Sequence, residues 1–95
     1  MIVYVDIDGI LCNNTYGKYE KAKPIKVNIN KINKKFDGGD TIILWTSRGT
    51  STGIDWKELT EKQLTKWGVK YHSLEFGKPE FDEIYDDKAK NIGSL

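Results

Sequence analysis

The chain has 95 residues, of which 38% are apolar and 31% are charged, and its net charge is +1. This length suits one domain without a separate lid, and the near-neutral charge disfavours nucleic acid as a partner. No apolar run approaches the roughly 20 residues that a membrane-spanning helix needs, and the N-terminus has no signal-peptide pattern. Cys12 is the only cysteine, which excludes an intramolecular disulfide and favours a cytoplasmic protein with Cys12 in its core.

The first predicted element is a buried strand, Val3-Tyr4-Val5, which runs directly into Asp6-Ile7-Asp8-Gly9. Residues two apart share a face of an extended backbone, so Asp6 and Asp8 project to the same side. Two carboxylates this close repel each other unless a cation lies between them or one stays protonated. The pair is therefore a candidate for metal binding, nucleophilic attack or acid–base chemistry. The alternative is an ordinary strand end followed by a polar turn.

A loop or small hairpin over residues 10–23 precedes the first predicted helix. Pro24 suits the first turn of that helix, and an apolar stripe at helical spacing follows: Ile25, Ile29, Ile32 and Phe36. Residues 37–39, Asp-Gly-Gly, end the helix. Residues 18–35 hold seven lysines against the single acid Glu20. They form either a solvated helix face or a positive rim that attracts an anionic substrate.

The second predicted strand covers residues 41–46, and polar groups end it: Thr46, Ser47 and Arg48. A second helix follows, with Asp55 as its N-cap and Glu58 completing a capping box. We expect its apolar side in the core, formed by Trp56, Leu59, Leu64 and Trp67. Gly68 ends the helix.

A short third strand is predicted over residues 69–72, followed by the loop Gly77-Lys78-Pro79 and a fourth strand over residues 81–85. Asp86 and Asp87 end that strand, and residues 88–95 form at most a short helix. Strands that alternate with helices predict an α/β fold with a parallel sheet. Such sheets bind ligands beyond the carboxyl ends of their strands, so the polar groups at the strand ends converge at one edge.

The chemistry of this edge points to phosphoryl transfer. Four carboxylates in one small volume suit Mg²⁺, which takes few carboxylates together with water and phosphate oxygens; they are Asp6, Asp8, Asp86 and Asp87. Lys78 and Thr46 supply an ammonium and a hydroxyl for the remaining phosphate oxygens. A carboxylate nucleophile splits one difficult displacement into two easier ones, and a second carboxylate moves the protons.

These residues resemble the motifs of the haloacid dehalogenase (HAD) superfamily of aspartate-nucleophile phosphatases. Four segments, in order and across nearly the whole chain, are similar to its four motifs: Asp6-Ile7-Asp8-Gly9, Leu44-Trp45-Thr46, Lys78 and Ile84-Tyr85-Asp86-Asp87. One departure is Ile10, where the family usually has Thr or Val. A hydroxyl contact is lost there, but no catalytic group is.

The resemblance implies a Rossmann-like three-layer sandwich with a mainly parallel sheet of about four or five strands. It implies one HAD-like hydrolase domain over residues 1–95, and no cap domain because the segments between the motifs are short. It further implies Asp6 as nucleophile and Asp8 as acid/base, with Thr46 and Lys78 on the phosphoryl group. The implied Mg²⁺ ligands are Asp6, the backbone carbonyl of Asp8 and Asp86, with Asp87 acting through the second shell or a bound water.

The function expected from the resemblance is Mg²⁺-dependent hydrolysis of a small phosphorylated metabolite, foremost a sugar phosphate, through an aspartyl-phosphate. The nearest resemblance is to small capless phosphatases encoded with bacterial polysaccharide genes or in phages. Capless relatives often use a neighbouring subunit to cover the site, so a homo-oligomer is one expectation.

Other residues near the predicted site have two interpretations each. Ser47 and Arg48 are candidates for substrate binding, the alternative for Arg48 being a surface ion pair. His72 is interpreted as structural, because the aspartates already supply the acid–base groups. Tyr16 and Tyr19 either stack on a sugar or base or have no such role.

Three alternative functions remain at this stage. A binding protein that keeps the fold and the metal site without turnover is the first, and a nucleic-acid end phosphatase, which the lysines permit, is the second. A phosphorylated signalling module is the third, since it also combines acids, Thr and Lys at such an edge. There, however, the accepting Asp ends a middle strand, whereas here the middle strand ends in Thr46.

Overall fold

A computed structural model describes residues 1–79 as an α/β chain with one parallel sheet and two helices. The strands are β1 (Ile2–Val5), β2 (Thr41–Trp45) and β3 (Ser73–Glu75), and the helices are α1 (Lys26–Asp37) and α2 (Lys57–Trp67). One 3₁₀ turn, Tyr19–Lys21, lies between β1 and α1. The predicted fourth strand at 81–85, the acids Asp86 and Asp87 and the tail lie outside the described residues.

The sheet follows chain order, β1-β2-β3, and its neighbouring strands are parallel. Val5 pairs with Leu44, and Leu44 pairs with Leu74. Both connections step in the same direction, so right-handed crossovers place α1 and α2 on one face of the sheet. The predicted parallel α/β arrangement is confirmed, with three strands within residues 1–79.

The core lies between the two helices and the sheet. Both the sheet and the helices contribute to it, including Val5, Ile42, Leu44, Ile29, Ile32, Leu64 and Trp67. The apolar stripe predicted for α1 is confirmed at Ile29 and Ile32, which are buried. Phe36, at the end of that stripe, packs against the margin of the core and stacks on His72.

The start of α2 differs from the predicted capping box. The helix begins at Lys57, and Asp55 accepts the N–H of Lys57 at 2.9 Å from a position outside the helix. Glu58 pairs with Lys62 at 3.1 Å along the exposed side of the helix. Gly68 ends the helix with a φ of 73°, a conformation that glycine adopts without strain.

The third strand begins at Ser73, beyond the residues 69–72 predicted for it. Val69 belongs to the end of α2, because its N–H donates to the carbonyl of Leu64 at 3.1 Å. His72 donates its N–H to the carbonyl of Ile42 at 2.8 Å and accepts the N–H of Ile42 on Nδ1 at 3.0 Å. An imidazole nitrogen thus replaces a backbone carbonyl at the start of the ladder, in agreement with the structural role expected for His72.

The connection over residues 10–23 folds back beside the carboxyl end of β1 as a small hairpin. Asn13 donates its N–H to the carbonyl of Lys23 at 3.0 Å, and Ile25 donates to Leu11 at 2.8 Å. The side chain of Asn28 donates to the carbonyl of Ile10 at 2.9 Å, which ties α1 to this hairpin.

Neither of the two helices within residues 1–79 has the length and apolar character needed to cross a membrane.

Candidate active site

A cavity of about 890 Å³ opens at the carboxyl end of the sheet. Asp6 and Asp8 both line it, while Ile7 between them is buried in the core. The two carboxylates thus face the same side, as predicted, although β1 ends at Val5 and the chain bends at Ile7 before it turns at Gly9 with a φ of 90°. The other lining residues belong to the loops that follow β1 and β2: Asn14, Tyr16, Gly17, Tyr19, Ser47, Gly49, Ser51, Thr52, Ile54 and Trp56.

Asp6 forms an ion pair with Lys78, in which Nζ lies 2.8 Å from Oδ2. Backbone geometry brings the lysine there, because the N–H of Lys78 donates to the carbonyl of Thr46 at 3.1 Å. The side chain of Asp6 remains 36% exposed, so it is open to a ligand in the cavity. The predicted convergence of these groups at one edge of the sheet is confirmed for the pair.

Asp8 forms a bidentate ion pair with Arg48. The Nε of Arg48 donates to Oδ2 and Nη2 donates to Oδ1, each at 2.9 Å. The side chain of Arg48 is 0% exposed and that of Asp8 is 18% exposed. Arg48 therefore approaches the carboxylate from the protein interior.

The surroundings of Arg48 contradict both sequence-based interpretations of this residue. Its Nη1 donates to Oγ1 of Thr60 at 3.0 Å and to Oε1 of Gln63 at 2.7 Å. Its Nη2 also lies 3.8 Å from the Sγ of Cys12, and the ring of Tyr19 covers the guanidinium at 4.6 Å. Arg48 is thus neither on the surface nor free to bind substrate, because a buried guanidinium is tolerated only when its donors are paired.

The two hydroxyls that follow β2 have different surroundings. Thr46 is fully buried, and its Oγ1 accepts the N–H of Arg48 at 3.1 Å. Ser47 lines the cavity. Of the two predicted substrate contacts, Ser47 is therefore the hydroxyl that faces open space, and the contact of either residue with a substrate stays a prediction.

An aromatic pair joins the two loops that form the cavity walls. The rings of Tyr19 and Trp56 meet edge to face with their centroids 5.0 Å apart. Trp67 is buried as predicted, but Trp56 lines the cavity instead of joining the core. Trp56 precedes the first residue of α2, so the helical spacing that placed it in the core does not apply to it. Tyr16, at the rim of the cavity, is 90% exposed.

Cys12 is buried beside Asp8, with Sγ 3.4 Å from Oδ1. Burial, and next the negative charge of Asp8, raises the pKa of Cys12 from 9.0 to about 12. The side chain is therefore a protonated thiol at neutral pH and donates to the carboxylate. The prediction of a buried, unpaired cysteine is confirmed.

Comparison with known proteins places the fold. No protein-family model and no curated protein sequence matches this chain. The crystal structure of a structural-genomics target from Vibrio cholerae is similar, with a TM-score of 0.87 and 25% sequence identity over 98% of this chain and 85% of that one. The fold recurs in that protein. Its description states no activity, so the functional argument rests on the site.

The chemistry of the cavity fits a hard divalent cation. Within residues 1–79, no cluster of three or more His, Cys, Asp or Glu side chains is arranged to hold a metal ion. The cavity does present two carboxylates, Asp6 and Asp8, and Mg²⁺ in phosphate sites commonly takes one or two, together with water and phosphate oxygens. The other two predicted ligands, Asp86 and Asp87, lie outside the described residues.

Two residues of the Arg48 network, Thr60 and Gln63, are missed by sequence reasoning. Both lie on the buried side of α2, in helical phase with Leu64 and Trp67. The available signal is their position, because polar side chains at core positions need buried partners. Gln63 also donates from Nε2 to the carbonyl of Tyr19 at 2.6 Å, which anchors the loop after β1 to α2.

Proposed function

We propose that the protein is a Mg²⁺-dependent phosphatase of the HAD type, which hydrolyses a small phosphorylated metabolite, foremost a sugar phosphate, through an aspartyl-phosphate. The observation that carries the proposal is the pairing of Asp6 with Lys78 at 2.8 Å beside the cavity, with Asp8 on the same side of the chain. A carboxylate nucleophile, a cation for phosphate and a second carboxylate for proton transfer are the groups that this reaction needs.

The residues that would hold Mg²⁺ are Asp6 and the backbone carbonyl of Asp8, with Asp86 and Asp87 as further acids. When bound, the cation supplies positive charge that offsets the repulsion between a phosphate group and the carboxylates. This charge is needed because, among the lining residues that the structure describes, the charged side chains are the carboxylates of Asp6 and Asp8.

In the first step, an oxygen of Asp6 forms a bond to phosphorus while the bond from phosphorus to the leaving oxygen breaks. Protonated Asp8 gives its proton to that oxygen. In the second step, water attacks the phosphorus, its proton passes to Asp8, and the bond between phosphorus and Asp6 breaks. Lys78 and the hydroxyl of Ser47 are the groups that we assign to the phosphoryl oxygens.

The walls of the cavity support a sugar as the remainder of the substrate. They combine hydroxyl and amide groups with aromatic rings that include Tyr16, Tyr19 and Trp56. Sugars offer both hydroxyls for hydrogen bonds and C–H faces for aromatic contact. Within residues 1–79, no lysine or arginine lines the cavity, which favours a neutral group over a second phosphate.

We further propose a Rossmann-like three-layer sandwich of about four or five strands, in one domain without a cap. β1 is an edge of the sheet formed by residues 1–79, and an edge strand can pair with a further strand. A strand over residues 81–85 that pairs with β1 in parallel would bring Asp86 and Asp87 to the carboxyl end of the sheet, where Asp6 lies. The single cysteine supports a cytoplasmic location.

Phosphate release from sugar phosphates, nucleotides and an aryl phosphate, measured with and without Mg²⁺, tests the proposal. We expect Mg²⁺-dependent release by the wild type and a loss of at least about 10³-fold in Asp6→Asn. Asp37→Asn is the matched control, because Asp37 also pairs with a lysine at 2.8 Å but lies at the end of α1 and does not line the cavity. Equal rates for the wild type and Asp6→Asn would contradict the proposal.

A binding protein without turnover is the second candidate. One observation favours it, namely that both carboxylates already form ion pairs, Asp6 with Lys78 and Asp8 with Arg48. Such pairing stabilises a site whether or not it performs chemistry. Calorimetric binding of Mg²⁺ and a phosphorylated sugar, without release of phosphate over hours, would favour this function over the phosphatase.

A further inference from the structure

Arg48 is fixed in place by its own hydrogen bonds. Its five N–H donors have five acceptors: Oδ1 and Oδ2 of Asp8, Oγ1 of Thr60, Oε1 of Gln63 and Sγ of Cys12. The side chain is 0% exposed, and the ring of Tyr19 covers it. A buried guanidinium whose donors are all hydrogen-bonded has a fixed orientation. The carboxylate that it binds is therefore also fixed in orientation.

The carboxylate of Asp8 takes its orientation from this arrangement. Oδ1 accepts from Nη2 of Arg48 and from the thiol of Cys12, whereas Oδ2 accepts from Nε of Arg48 within residues 1–79. A carboxylate has about four lone-pair positions on its two oxygens. Among the described contacts, Oδ2 therefore has more capacity left for a further hydrogen bond than Oδ1.

We propose that Arg48 is a positioning residue that orients the carboxylate of Asp8 for proton transfer. The inference rests on the phosphatase function proposed above and adds a residue to it. Arg48 does not line the cavity, so it acts on the substrate only through Asp8. Displacing a proton donor by about 1 Å slows the reaction by about 10²-fold. The bidentate contact with Arg48 prevents such a displacement of Asp8.

Proton donation matters most when the leaving oxygen is a poor leaving group. The alkoxide of a sugar phosphate needs a proton as the bond to phosphorus breaks, whereas p-nitrophenolate leaves without one. Misplacing Asp8 therefore slows the first step with a sugar phosphate far more than the first step with p-nitrophenyl phosphate, whereas the second step is common to both substrates and slows equally. A general loss of folding would slow both substrates by the same factor.

The test is Arg48→Lys, which keeps the positive charge and removes the bidentate hydrogen bonding to Asp8. We expect the rate of the first step, measured as release of the leaving group in a single turnover, to fall by about 10²-fold on the best sugar phosphate and by less than about fivefold on p-nitrophenyl phosphate. KM is expected to change little on both substrates, because Arg48 does not touch them.

Two controls separate positioning from stability. Leu64→Ala, which opens a hole in the buried side of α2, lowers the melting temperature and is expected to lower both activities equally. In an Asp8→Asn background, Arg48→Lys is expected to change the rate on p-nitrophenyl phosphate by less than about twofold, because the residue acts through Asp8. Should Arg48→Lys fail to fold, Thr60→Val removes one acceptor of Nη1 and is expected to show the same bias at smaller size.

An equal loss of the first-step rate on both substrates in Arg48→Lys, or a further loss in the Asp8→Asn background, overturns the inference while the phosphatase function stands. Failure of the wild type to hydrolyse either substrate with Mg²⁺ overturns the phosphatase function, and this inference with it. A selective loss on the sugar phosphate supports both.

Discussion

The ammonium of Lys78 lies 2.8 Å from Oδ2 of Asp6, although 72 positions separate the two residues in the chain. The pair also spans the sheet, because β1 and β3 are at opposite edges of the three described strands. Lys78 crosses over β2 to reach Asp6, donating its N–H to Thr46 and passing 6.0 Å from the ring centroid of Trp45. A candidate nucleophile and a candidate phosphate-binding cation thus meet only in the folded chain.

Replacing Lys78 by Met is expected to lower kcat/KM for a phosphomonoester by at least about 10²-fold, because the cation that faces the phosphoryl oxygens is removed. Lys78→Arg is expected to retain part of the activity. Lys70→Met is the control, since Lys70 pairs with Asp37 at the same distance of 2.8 Å away from the cavity. Steady-state kinetics of the three variants checks this, and equal activity in Lys78→Met and Lys70→Met would remove Lys78 from the site.

The two hydroxyls after β2 are expected to respond differently to substitution. Ser47→Ala removes a group that faces the cavity, so we expect kcat/KM to fall by about tenfold or more with unchanged stability. Thr46→Val removes the buried acceptor of the Arg48 N–H, so we expect the free energy of unfolding to fall by about 1–3 kcal/mol. Urea denaturation and kinetics together check this. If Thr46→Val keeps its stability and loses activity, Thr46 contacts the substrate directly, as the resemblance to HAD phosphatases implies.

Two glycines in the loop after β2 form a matched pair that tests how tightly the backbone of this loop packs against itself. Gly49 and Gly53 have positive φ values of 81° and 73°. A Cβ at Gly49 would collide with the backbone oxygen of Ile54, whereas a Cβ at Gly53 would meet no atom within 4 Å. Gly53→Ala is therefore expected to cost about 1 kcal/mol from its φ alone, and Gly49→Ala is expected to cost at least about 1 kcal/mol more.

Urea denaturation of the two alanine variants measures this difference. Gly49→Ala is also expected to raise KM, because displacing Ile54 moves a lining residue of the cavity. Equal stability of the two variants would show that the loop relaxes freely around Gly49.

The raised pKa of Cys12 predicts a loss of stability at high pH. The thiol ionises above about 9 in the unfolded chain but only near 12 in the folded one, so the unfolded state releases its proton first. The contribution of Cys12 to the free energy of unfolding should therefore be constant below pH 9 and fall across pH 9–12, by at most about 1.4 kcal/mol per pH unit. Denaturation in metal-free buffer, compared with Cys12→Ala, isolates this effect. A parallel pH dependence in both proteins would rule it out.

The features predicted correctly from the sequence are those that local geometry determines. The period of an extended chain predicts the common side of Asp6 and Asp8, although the chain bends at Ile7, and the stripe on α1 follows from the period of a helix. The meeting of Lys78 with Asp6 follows from a general property of parallel sheets, whose carboxyl ends share one edge.

The features that were missed depend on how elements pack. Arg48 is buried because Thr60 and Gln63 on α2 accept hydrogen bonds from its guanidinium. The sequence around β2 does not show which side of α2 packs against the end of that strand. The spacing of Trp56 fits the apolar side of α2, but Trp56 lies before the first helical residue. The sequence of residues 69–72 suits a strand, yet the N–H of Val69 is used to end α2.

The measurement that tests the central claim most directly is rapid acid quench of the enzyme during turnover of p-nitrophenyl phosphate with Mg²⁺, followed by peptide mass analysis. The Asp8→Asn variant is the most informative form, because it lacks the base for the second step and so accumulates the intermediate. We predict one phosphoryl group on the peptide that contains Asp6, absent from Asp6→Asn and decaying as phosphate appears. Phosphate release with no phosphoryl group on the protein at any time, or with the group on a different residue, would contradict the account.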